Sequence, residues 1–388
     1  MSYTWNLPTR VLFGAGVLRE LGKQALPGKK ALLVTSCGGS VRRNGSLEAA
    51  QKGLAAAGAS HVLFDRIEQN PQEPTLMEGV RLARACGCDF VVGLGGGSAL
   101  DAAKAIAAVV AQRHGRIWDY MQSGTGGRLP LTETPFPCIA ITTSAGTGSE
   151  VDCRSVITNP ATCEKLTLRG AYPTLAIVDP ELMRTVPPDF TAYQGFDALF
   201  HCVEGYLSRH CNEAAEMVEL TAIRLIARYL PAAVRNGDDM EARTKLAFAN
   251  TLGGYSMELS SCISQHAMEH ALSGHHPALP HGAGLLMLSI AYFSRMIEGH
   301  VCDERFVALA RALGHEAAAC AGDFLTALQA LMTACSVDGL RMRDYGIVPQ
   351  ELPRLAKEAR SAMEPLFLCD RAALGEADVT EIYRAAYR

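Results

Sequence analysis

Through about the first 180 residues of the 388-residue chain, short runs of β-branched and aliphatic residues alternate with helical stretches. The β-branched runs almost disappear from the rest of the chain. Alternation of this kind is typical of a parallel sheet covered by helices, because parallel strands are joined by crossovers that are usually helical. After Asp179 the residues Ala, Leu, Glu and Arg recur instead at helical spacing. A chain of this length exceeds one typical hydrophobic core. The sequence therefore predicts an α/β domain over residues 1–182 and an all-helical domain over residues 183–388.

The alternation also places the main elements. Most of the predicted strands end at or near Gly or Ser, where turns commonly begin. The predicted strands cover residues 31–35, 61–65, 90–93, 138–142 and 175–178. The predicted helices cover residues 47–57, 75–85 and 99–111 in the first domain, and 213–230 and 305–313 in the second.

Composition argues against several classes of function. A formal net charge of −4 gives no electrostatic reason to bind nucleic acid or an anionic membrane. The apolar runs are too short to cross a bilayer, and the N-terminus lacks the basic start and apolar core of a signal peptide. Thirteen scattered cysteines without an export signal predict reduced thiols in a cytoplasmic protein.

Two glycine-rich loops follow predicted strands. Residues 90–104 (FVVGLGGGSALDAAK) have the order strand, tight glycine turn and helix. Glycines let the backbone approach a phosphate closely, and the helix N-terminus offers free N–H groups. Ser98 replaces the last glycine of a G-x-G-x-x-G motif, so a simple strand–helix turn is the alternative.

The second loop, residues 142–150 (TTSAGTGSE), follows the next predicted strand. Its small hydroxyl residues suit contacts to a pyrophosphate or a nicotinamide amide, although helix capping by Thr and Ser is the alternative. Ligands of open α/β sheets bind at the carboxyl ends of strands. Both loops lie there, so the first domain is predicted to be a Rossmann-like dinucleotide-binding domain.

Five of the eleven histidines lie between His266 and His281. His266 and His270 are spaced i, i+4, as are Asp197 and His201 upstream, so each pair lies on one face of a helix. One carboxylate with several imidazoles suits a divalent metal such as iron or zinc. A single histidine is more often a hydrogen-bonded core or surface residue, but this joint pattern favours ligation.

The predicted metal ligands are Asp197, His201, His266 and His281. His270 shares a face with His266 but would be a fifth protein ligand, and a catalytic metal keeps one position open for substrate. His270 is therefore predicted to transfer protons beside the site. For His275 and His276 we expect an exposed loop rather than ligation.

These motifs resemble the iron-containing (group III) alcohol dehydrogenase family over nearly the full length of the chain. The resemblance rests on residues 95–104, 142–150 and 266–282, and on Asp197 with His201. It implies a metal-dependent dehydrogenase that transfers a hydride between NAD(P) and a small primary alcohol or aldehyde. The four predicted ligands would bind iron(II), or zinc in some members, and members commonly form dimers or larger homo-oligomers. By the matching motifs, the residues that would hold the dinucleotide are Asn70, Gly96, Gly97, Ser98, Asp101, Thr142, Thr143, Thr147 and Lys165.

The loop after the first predicted strand bears on the choice of cofactor. NAD-preferring relatives often carry an Asp there, whereas this loop contains no acid. Arg42 and Arg43 follow it, and glycine N–H groups, a serine hydroxyl and two arginines suit a 2′-phosphate. This resembles the NADP-using branch and predicts that NADP is accepted at least as well as NAD. The alternative is a plain loop with solvated arginines. The loop residues predicted to contact the cofactor are Ser36, Gly38, Gly39 and Ser40.

Other functions stay open on the sequence alone. One is a lyase like dehydroquinate synthase, which shares the superfamily fold but ligates its metal through a Glu and two His. Polyol and hydroxy-acid dehydrogenases are a second, and a metal- or nucleotide-binding protein without turnover is a third. The substrate is not readable. Asp152 and Arg154 either bind a polar substrate or pair with each other on the surface.

Overall fold

The computed structural model describes residues 3–388 and contains a six-stranded parallel sheet in its N-terminal part. The strands are β1 (Arg10–Phe13), β2 (Lys30–Ser36), β3 (Ser60–Ile67), β4 (Phe90–Gly95), β5 (Cys138–Thr142), β6 (Arg154–Asn159), β7 (Glu164–Arg169) and β8 (Pro173–Val178). The sheet order is β1-β8-β5-β4-β2-β3, and β6 and β7 form a separate antiparallel pair. The parallel sheet confirms the predicted fold class and all five predicted strands.

Every residue of the two central strands β4 and β5 is buried. Parallel strands covered by helices on both faces have this character, which explains their continuous apolar runs. The covering helices of this part are α1 (Ser40–Arg43), α2 (Ser46–Ala56), α3 (Glu73–Cys86) and α4 (Gly97–Val110). On one face, Leu33, Val92, Ile139 and Ile177 from four strands pack with Leu54 of α2 in one fully buried core.

The second half of the chain is helical, as the sequence predicts, and no strand occurs among its described residues after β8. Its helices are α5 (Pro188–Leu207), α6 (Glu213–Arg235), α7 (Met240–Leu259), α8 (Ser264–His275), α9 (His281–Glu298), α10 (Asp303–Ala312), α11 (Asp323–Ala334), α12 (Leu352–Ala362), α13 (Glu364–Cys369) and α14 (Glu376–Ala386). Side chains fix where they begin: Asn212 accepts from two backbone N–H groups of α6, and Asp239 accepts from one of α7.

Compact packing divides the chain into two units. One contains Leu7–Ser144 and Gly148–Thr185, and the other contains Val186–Arg388, Ala145–Thr147 and the described residues before Leu7. We call them the α/β unit and the helical unit. The short segment Ala145–Thr147 lies inside the second glycine-rich loop, so that loop contributes residues to both units.

Three strands and one helix end escaped the sequence prediction. β1 is a four-residue edge strand, too short to show a periodic pattern, and β6–β7 is a hairpin with many polar residues. The helix predicted to end at residue 230 continues through Pro231 to Arg235. Proline disfavours a helix interior, so here packing in the helical unit overrides local preference.

No helix within residues 3–388 is both long enough and apolar enough to span a membrane.

Candidate functional site

Asp197, His201, His266 and His281 lie together in the helical unit, and we call them the histidine cluster. Asp197 and His201 lie one turn apart on α5, His266 is in the first turn of α8, and His281 begins α9. The three Nε2 atoms lie 3.6, 3.7 and 3.5 Å from Asp197 Oδ1, in that order of histidine. The structure therefore brings all four predicted ligands to one point.

The distances from Asp197 fit a divalent ion. Four ligands held about 2.1 Å from one ion in a tetrahedron lie about 3.4 Å from one another, close to the three distances from Asp197 Oδ1 to the imidazoles. Asp197 and His266 are 4% exposed, and neither Asp197 Oδ1 nor His266 Nε2 has a hydrogen-bond partner. Buried polar atoms are costly when unsatisfied. An ion at the centre would satisfy these atoms together.

Hydrogen bonds on the far side of each imidazole hold its Nε2 toward this point. His266 Nδ1 lies 2.5 Å from Glu204 Oε1, and His281 Nδ1 bonds to Glu269 Oε2. His201 Nδ1 lies 3.2 Å from the carbonyl oxygen of Gly146. An acceptor at Nδ1 places the proton there and leaves the Nε2 lone pair for a metal. Sequence analysis gave no such role to Glu204, Glu269 or Gly146.

Two glycines allow α9 to bring His281 into place. A Cβ on Gly282 would lie 2.1 Å from the carbonyl oxygen of Tyr193 on α5. A Cβ on Gly284 would lie 2.7 Å from Cγ of Glu269, whose carboxylate bonds to His281. Only glycine permits these approaches, so the glycines after His281 have a packing reason that the motif alone did not reveal.

The members of the histidine cluster differ in ionisation. Burial lowers the pKa of His201 to about 3. The ring is therefore neutral at neutral pH, and its unprotonated nitrogen keeps a lone pair. Burial alone would raise the pKa of Asp197, but the imidazoles of His201, His281 and His266 outweigh it and hold that pKa below its usual value. Burial opposes protonation of His266 as well, but Cys262, Glu204 and Asp197 outweigh it and raise the pKa of His266 well above its usual value. A metal ion would therefore have to displace a proton from this ring, since ligation requires an unprotonated imidazole nitrogen.

Two further groups border the histidine cluster. The Cys262 thiol lies within 4.8 Å of ligand atoms of both His201 and His266, a neighbour that the sequence did not suggest. The ring of His270 is 6% exposed, and its centroid lies 5.5 Å from that of His281. His270 is thus beside the cluster, as its predicted role requires.

The other two histidines of this stretch face α12 instead. His275 Nε2 lies 2.5 Å from Glu358, and His276 Nε2 lies 3.0 Å from Glu351. Their side chains are 14% and 16% exposed, so the expectation of an exposed loop is wrong. His275 is the last residue of α8, and both rings are held by carboxylates at that end of the helix.

In the α/β unit, the first glycine-rich loop is a tight turn between β4 and α4. Gly95 has a φ of +150°, and a Cβ there would lie 2.8 Å from Cβ of Ala99. Gly96 precedes the first turn of α4, which contains Gly97 and Ser98 and carries the free N–H groups of a helix start. Thr143 N donates to the carbonyl oxygen of Gly95 at 2.9 Å, so the second loop lies against the first.

Next to these loops is a largely buried group of three charged residues and one serine, which we call the lysine cluster: Asp101, Lys104, Ser149 and Asp152. Lys104 Nζ lies 2.5 Å from Asp152 Oδ1 and 3.5 Å from Asp101 Oδ1. Asp101 accepts from Ser149 Oγ at 2.5 Å and from the backbone N–H of Val156 at 2.8 Å. Both oxygens of Asp101, a predicted cofactor contact, therefore bond within the protein and hold the second loop against α4.

Asp152 lies in the interior and not on the surface, where the sequence left open a pair with Arg154. It is 2% exposed, so it does not pair on the surface, and it bonds to Lys104 and to the backbone N–H of Arg154. Burial raises the pKa of Asp152 to about 6, with the charge of Lys104 opposing the shift. The two carboxylates outweigh burial and raise the pKa of Lys104, which stays charged.

The two cofactor residues that only the family resemblance suggested are in direct contact. Lys165 Nζ on β7 donates to Asn70 Oδ1 at 3.1 Å, and both residues are buried. Asn70 has a φ of 55°, a left-handed conformation that Asn tolerates better than most residues. The β6–β7 hairpin is attached here, since Thr158 N donates to the carbonyl oxygen of Pro71.

The loop of Ser36 to Ser40 follows β2, and Gly39 has a φ of +70° just before α1. Arg42 Nη2 in α1 lies 2.5 Å from Asp65 Oδ2 on the neighbouring strand β3. The sequence reasoning considered acids only in the loop itself and missed Asp65, because strand pairing brings it near from 23 residues downstream.

Comparison with known proteins connects these features to one family. A family model described as iron-containing alcohol dehydrogenase matches residues 8–180, and the C-terminal model of the Fe-containing alcohol dehydrogenase family matches residues 191–387. The 1,3-propanediol dehydrogenase of Citrobacter freundii is 33% identical and covers 99% of each chain. The NAD-dependent methanol dehydrogenase of Bacillus methanolicus is 34% identical and covers 79% of each chain.

Solved structures agree. An archaeal halo-thermophilic alcohol dehydrogenase from a Red Sea brine pool has a TM-score of 0.93 at 32% identity, with 100% of this chain and 99% of the other covered. A 1,3-propanediol oxidoreductase has a TM-score of 0.89 at 30% identity, with both chains fully covered at 100%.

Proposed function

The chain belongs to the iron-containing alcohol dehydrogenase family and is an oxidoreductase that acts on CH–OH groups, and from this premise we propose which residues do the chemistry. The histidine cluster holds one divalent ion, and the glycine-rich loops hold NAD(P). A hydride then passes between the nicotinamide and a short primary alcohol or aldehyde. The observation that carries the proposal is the convergence of three imidazole Nε2 atoms on Asp197 Oδ1, with 3.5–3.7 Å separations.

Each group has a defined task in this account. A bound divalent ion supplies Lewis-acid polarisation of an alcohol or carbonyl oxygen, and the nicotinamide supplies the hydride chemistry. Asp197 contributes one negative charge, so a divalent ion keeps a net positive charge for that polarisation. Glu204 and Glu269 fix two imidazole rings, which limits reorganisation around the site. His270, next to His281, moves the proton that the hydroxyl group loses or gains.

The cofactor is held, in this proposal, by the edge of the sheet. The N–H groups at the start of α4 receive the pyrophosphate, and the glycines before it let the phosphates approach. Thr142, Thr143, Thr147, Asn70 and Lys165 complete the contacts to the nucleotide. NADP is accepted at least as well as NAD, because the loop after β2 contains no carboxylate and is followed by Arg42. A tenfold or greater loss of affinity on adding the 2′-phosphate contradicts this.

Iron(II) is the proposed ion, with zinc as the substitute that the same nitrogen and oxygen donors tolerate. Within residues 3–388 no disulfide joins any of the thirteen cysteines, and we propose a reducing, cytoplasmic location. A homodimer or larger homo-oligomer is proposed from the family resemblance. Short primary alcohols are favoured as substrates, since relatives are named for 1,3-propanediol, methanol and 1-propanol.

Initial rates test the proposal. Chelated protein and protein reloaded anaerobically with Fe(II) or Zn(II) are compared in the oxidation of NADPH and NADH by a panel of short aldehydes. We expect turnover to return only on reloading, with NADPH at least as effective as NADH. Tight nucleotide binding without turnover under any metal contradicts the proposal and favours a lyase of the same superfamily or a substrate outside simple aldehydes.

A further inference from the structure

The two arginines that follow the β2 loop have different partners. Arg42 Nη2 lies 2.5 Å from Asp65 Oδ2, and both side chains are largely exposed, 54% and 41%. Arg43 Nη1 instead donates to the carbonyl oxygen of Gly38 at 3.0 Å. We propose that Asp65 competes with the 2′-phosphate of NADP for Arg42 and thereby sets the preference between NADP and NAD. This inference rests on the proposed nucleotide-binding function.

The position of this pair in the sheet supports such a role. The order β4-β2-β3 places the glycine-rich loop, the loop of Ser36 to Ser40 and the end of β3 side by side at the carboxyl edge. Cys37 N donates to the carbonyl oxygen of Ile67, so the last two segments are joined directly. When the pyrophosphate binds at the glycine loop of such a sheet, the adenosine ribose lies near the next strand. A carboxylate there binds the ribose hydroxyls, whereas an arginine accommodates a 2′-phosphate.

An irregularity in β3 directs Asp65 toward Arg42. Val34 pairs with Phe64 and Ser36 pairs with Ile67, so β3 contains one residue more than β2 over this interval. The extra length falls on Asp65 and Arg66, and Arg66 bonds to Glu78 at 3.1 Å. Bulges of this kind re-aim side chains and are frequent beside active sites. The two ion pairs begin at adjacent residues of β3 and are both largely exposed. Only the Asp65–Arg42 pair reaches α1, which follows the loop of Ser36 to Ser40, whereas Glu78 lies on α3.

The physical consequence differs between the two nucleotides. With NADP, the carboxylate of Asp65 repels the 2′-phosphate and occupies donors of Arg42 that the phosphate needs. With NAD, the same carboxylate accepts a hydrogen bond from the ribose hydroxyl. Asp65 thus favours NAD and Arg42 favours NADP, so this chain accepts both nucleotides rather than excluding one.

Direct binding of NADP⁺ and NAD⁺ to the full chain tests the inference without requiring turnover. The variants are D65N, R42Q and the double variant, with E78Q as a matched control that removes an equal charge from the adjacent pair. We expect D65N to tighten NADP⁺ binding about three- to tenfold and to leave NAD⁺ unchanged or slightly weaker, an effect that shrinks at high salt. R42Q weakens NADP⁺ binding about tenfold, and the double variant shows no gain from D65N. E78Q changes neither affinity by more than about twofold.

Three results overturn the inference: an equal change for both nucleotides in D65N, the same change in E78Q, or a gain that persists without Arg42. Its failure is distinguishable from failure of the proposed function. If the wild-type chain binds both nucleotides but the ratio of their affinities is insensitive to D65N, only the role of Asp65 is wrong. If the wild-type chain binds neither nucleotide, the proposed function fails as well.

Discussion

The histidine cluster and the lysine cluster are both largely buried groups of polar side chains built around carboxylates. They differ in whether a cation is already present among their side chains. In the lysine cluster, the ammonium group of Lys104 lies between two carboxylates, and Asp101 uses both of its oxygens. In the histidine cluster, Asp197 Oδ1 and His266 Nε2 face each other across 3.7 Å without a hydrogen bond. The first cluster already contains its cation, and the second has the donors for one. The presence of an internal cation thus distinguishes the lysine cluster from the proposed metal site.

Removing a ligand should have the largest effect. His281→Ala leaves three donors and is expected to lower kcat/KM by about three orders of magnitude or more, because the ion that polarises the substrate oxygen is no longer held. Steady-state rates and metal content by mass spectrometry measure this. The matched control is His276→Ala, which should retain activity since His276 bonds to Glu351, the residue just before α12, and not to the cluster. Equal losses in both variants would show that the histidines of this stretch act through folding.

Lys104→Met should lower the stability of the protein without lowering its affinity for metal. It leaves Asp101 and Asp152 buried without their cation and is expected to reduce the free energy of unfolding by about 3–5 kcal/mol. Chemical denaturation measures the loss of stability. The control is Lys52→Met, which removes a lysine from an exposed ion pair and should change the free energy of unfolding by less than about 0.5 kcal/mol. Metal affinity of the folded variant should be unchanged. A stable Lys104→Met protein with reduced metal affinity contradicts the distinction between the clusters.

The hydrogen bonds behind the imidazoles should have an intermediate effect. Glu204→Gln and Glu269→Gln weaken the orientation of His266 and His281, and we expect the Kd for the metal to rise about 10- to 100-fold. Competition with a chromophoric chelator measures this, with the exposed Glu298→Gln as the control. Unchanged affinity in both variants would mean that packing alone orients the rings.

The smallest effect should come from a buried acid with no cation in its immediate contacts. Glu219 is fully buried and accepts from Ser256 and Ser260, and burial raises its pKa to about 7 despite these hydrogen bonds. Between about pH 4.5 and 7 the unfolded chain releases this proton while the folded chain keeps it, so stability falls as the pH rises. Glu219→Gln should reduce this pH-dependent loss in the free energy of unfolding by about 1–3 kcal/mol. Parallel stability–pH curves for the variant and the wild type would contradict the assignment.

The sequence predicted the elements whose signal is local. The glycine turn after β4 and the i, i+4 pairs on α5 and α8 are short patterns with one physical meaning, and the structure places them as expected. It did not predict Glu204, Asp65 or Cys262 as neighbours of the two proposed sites. Glu204 on α5 and Asp65 on β3 meet residues of other elements, and Cys262 lies in the connection before α8. Asp101 is the instructive case. Its motif position suggested a cofactor contact, and only three-dimensional neighbours such as Ser149 reveal that its oxygens bond within the protein.

The same limit explains the missed elements. β1 has only four residues, and buried and exposed positions alternate only weakly along β6 and β7. None of the three strands therefore has a pattern strong enough to be recognised from the sequence without its partner strand. Pro231 marks a helix end by local preference, yet α6 continues past it because the surrounding helices hold it. Long-range packing decides each of these outcomes.

The most direct test of the account is an anaerobic titration of chelated wild-type protein with Fe(II), in which bound metal and aldehyde-dependent NADPH oxidation are measured on the same samples. If the histidine cluster is the catalytic metal site, the rate rises in proportion to bound metal and saturates at about one ion per chain. The same titration of His281→Ala should show weak binding and no recovered rate. Full turnover in protein free of bound metal would contradict the central claim that the histidine cluster is the catalytic metal site.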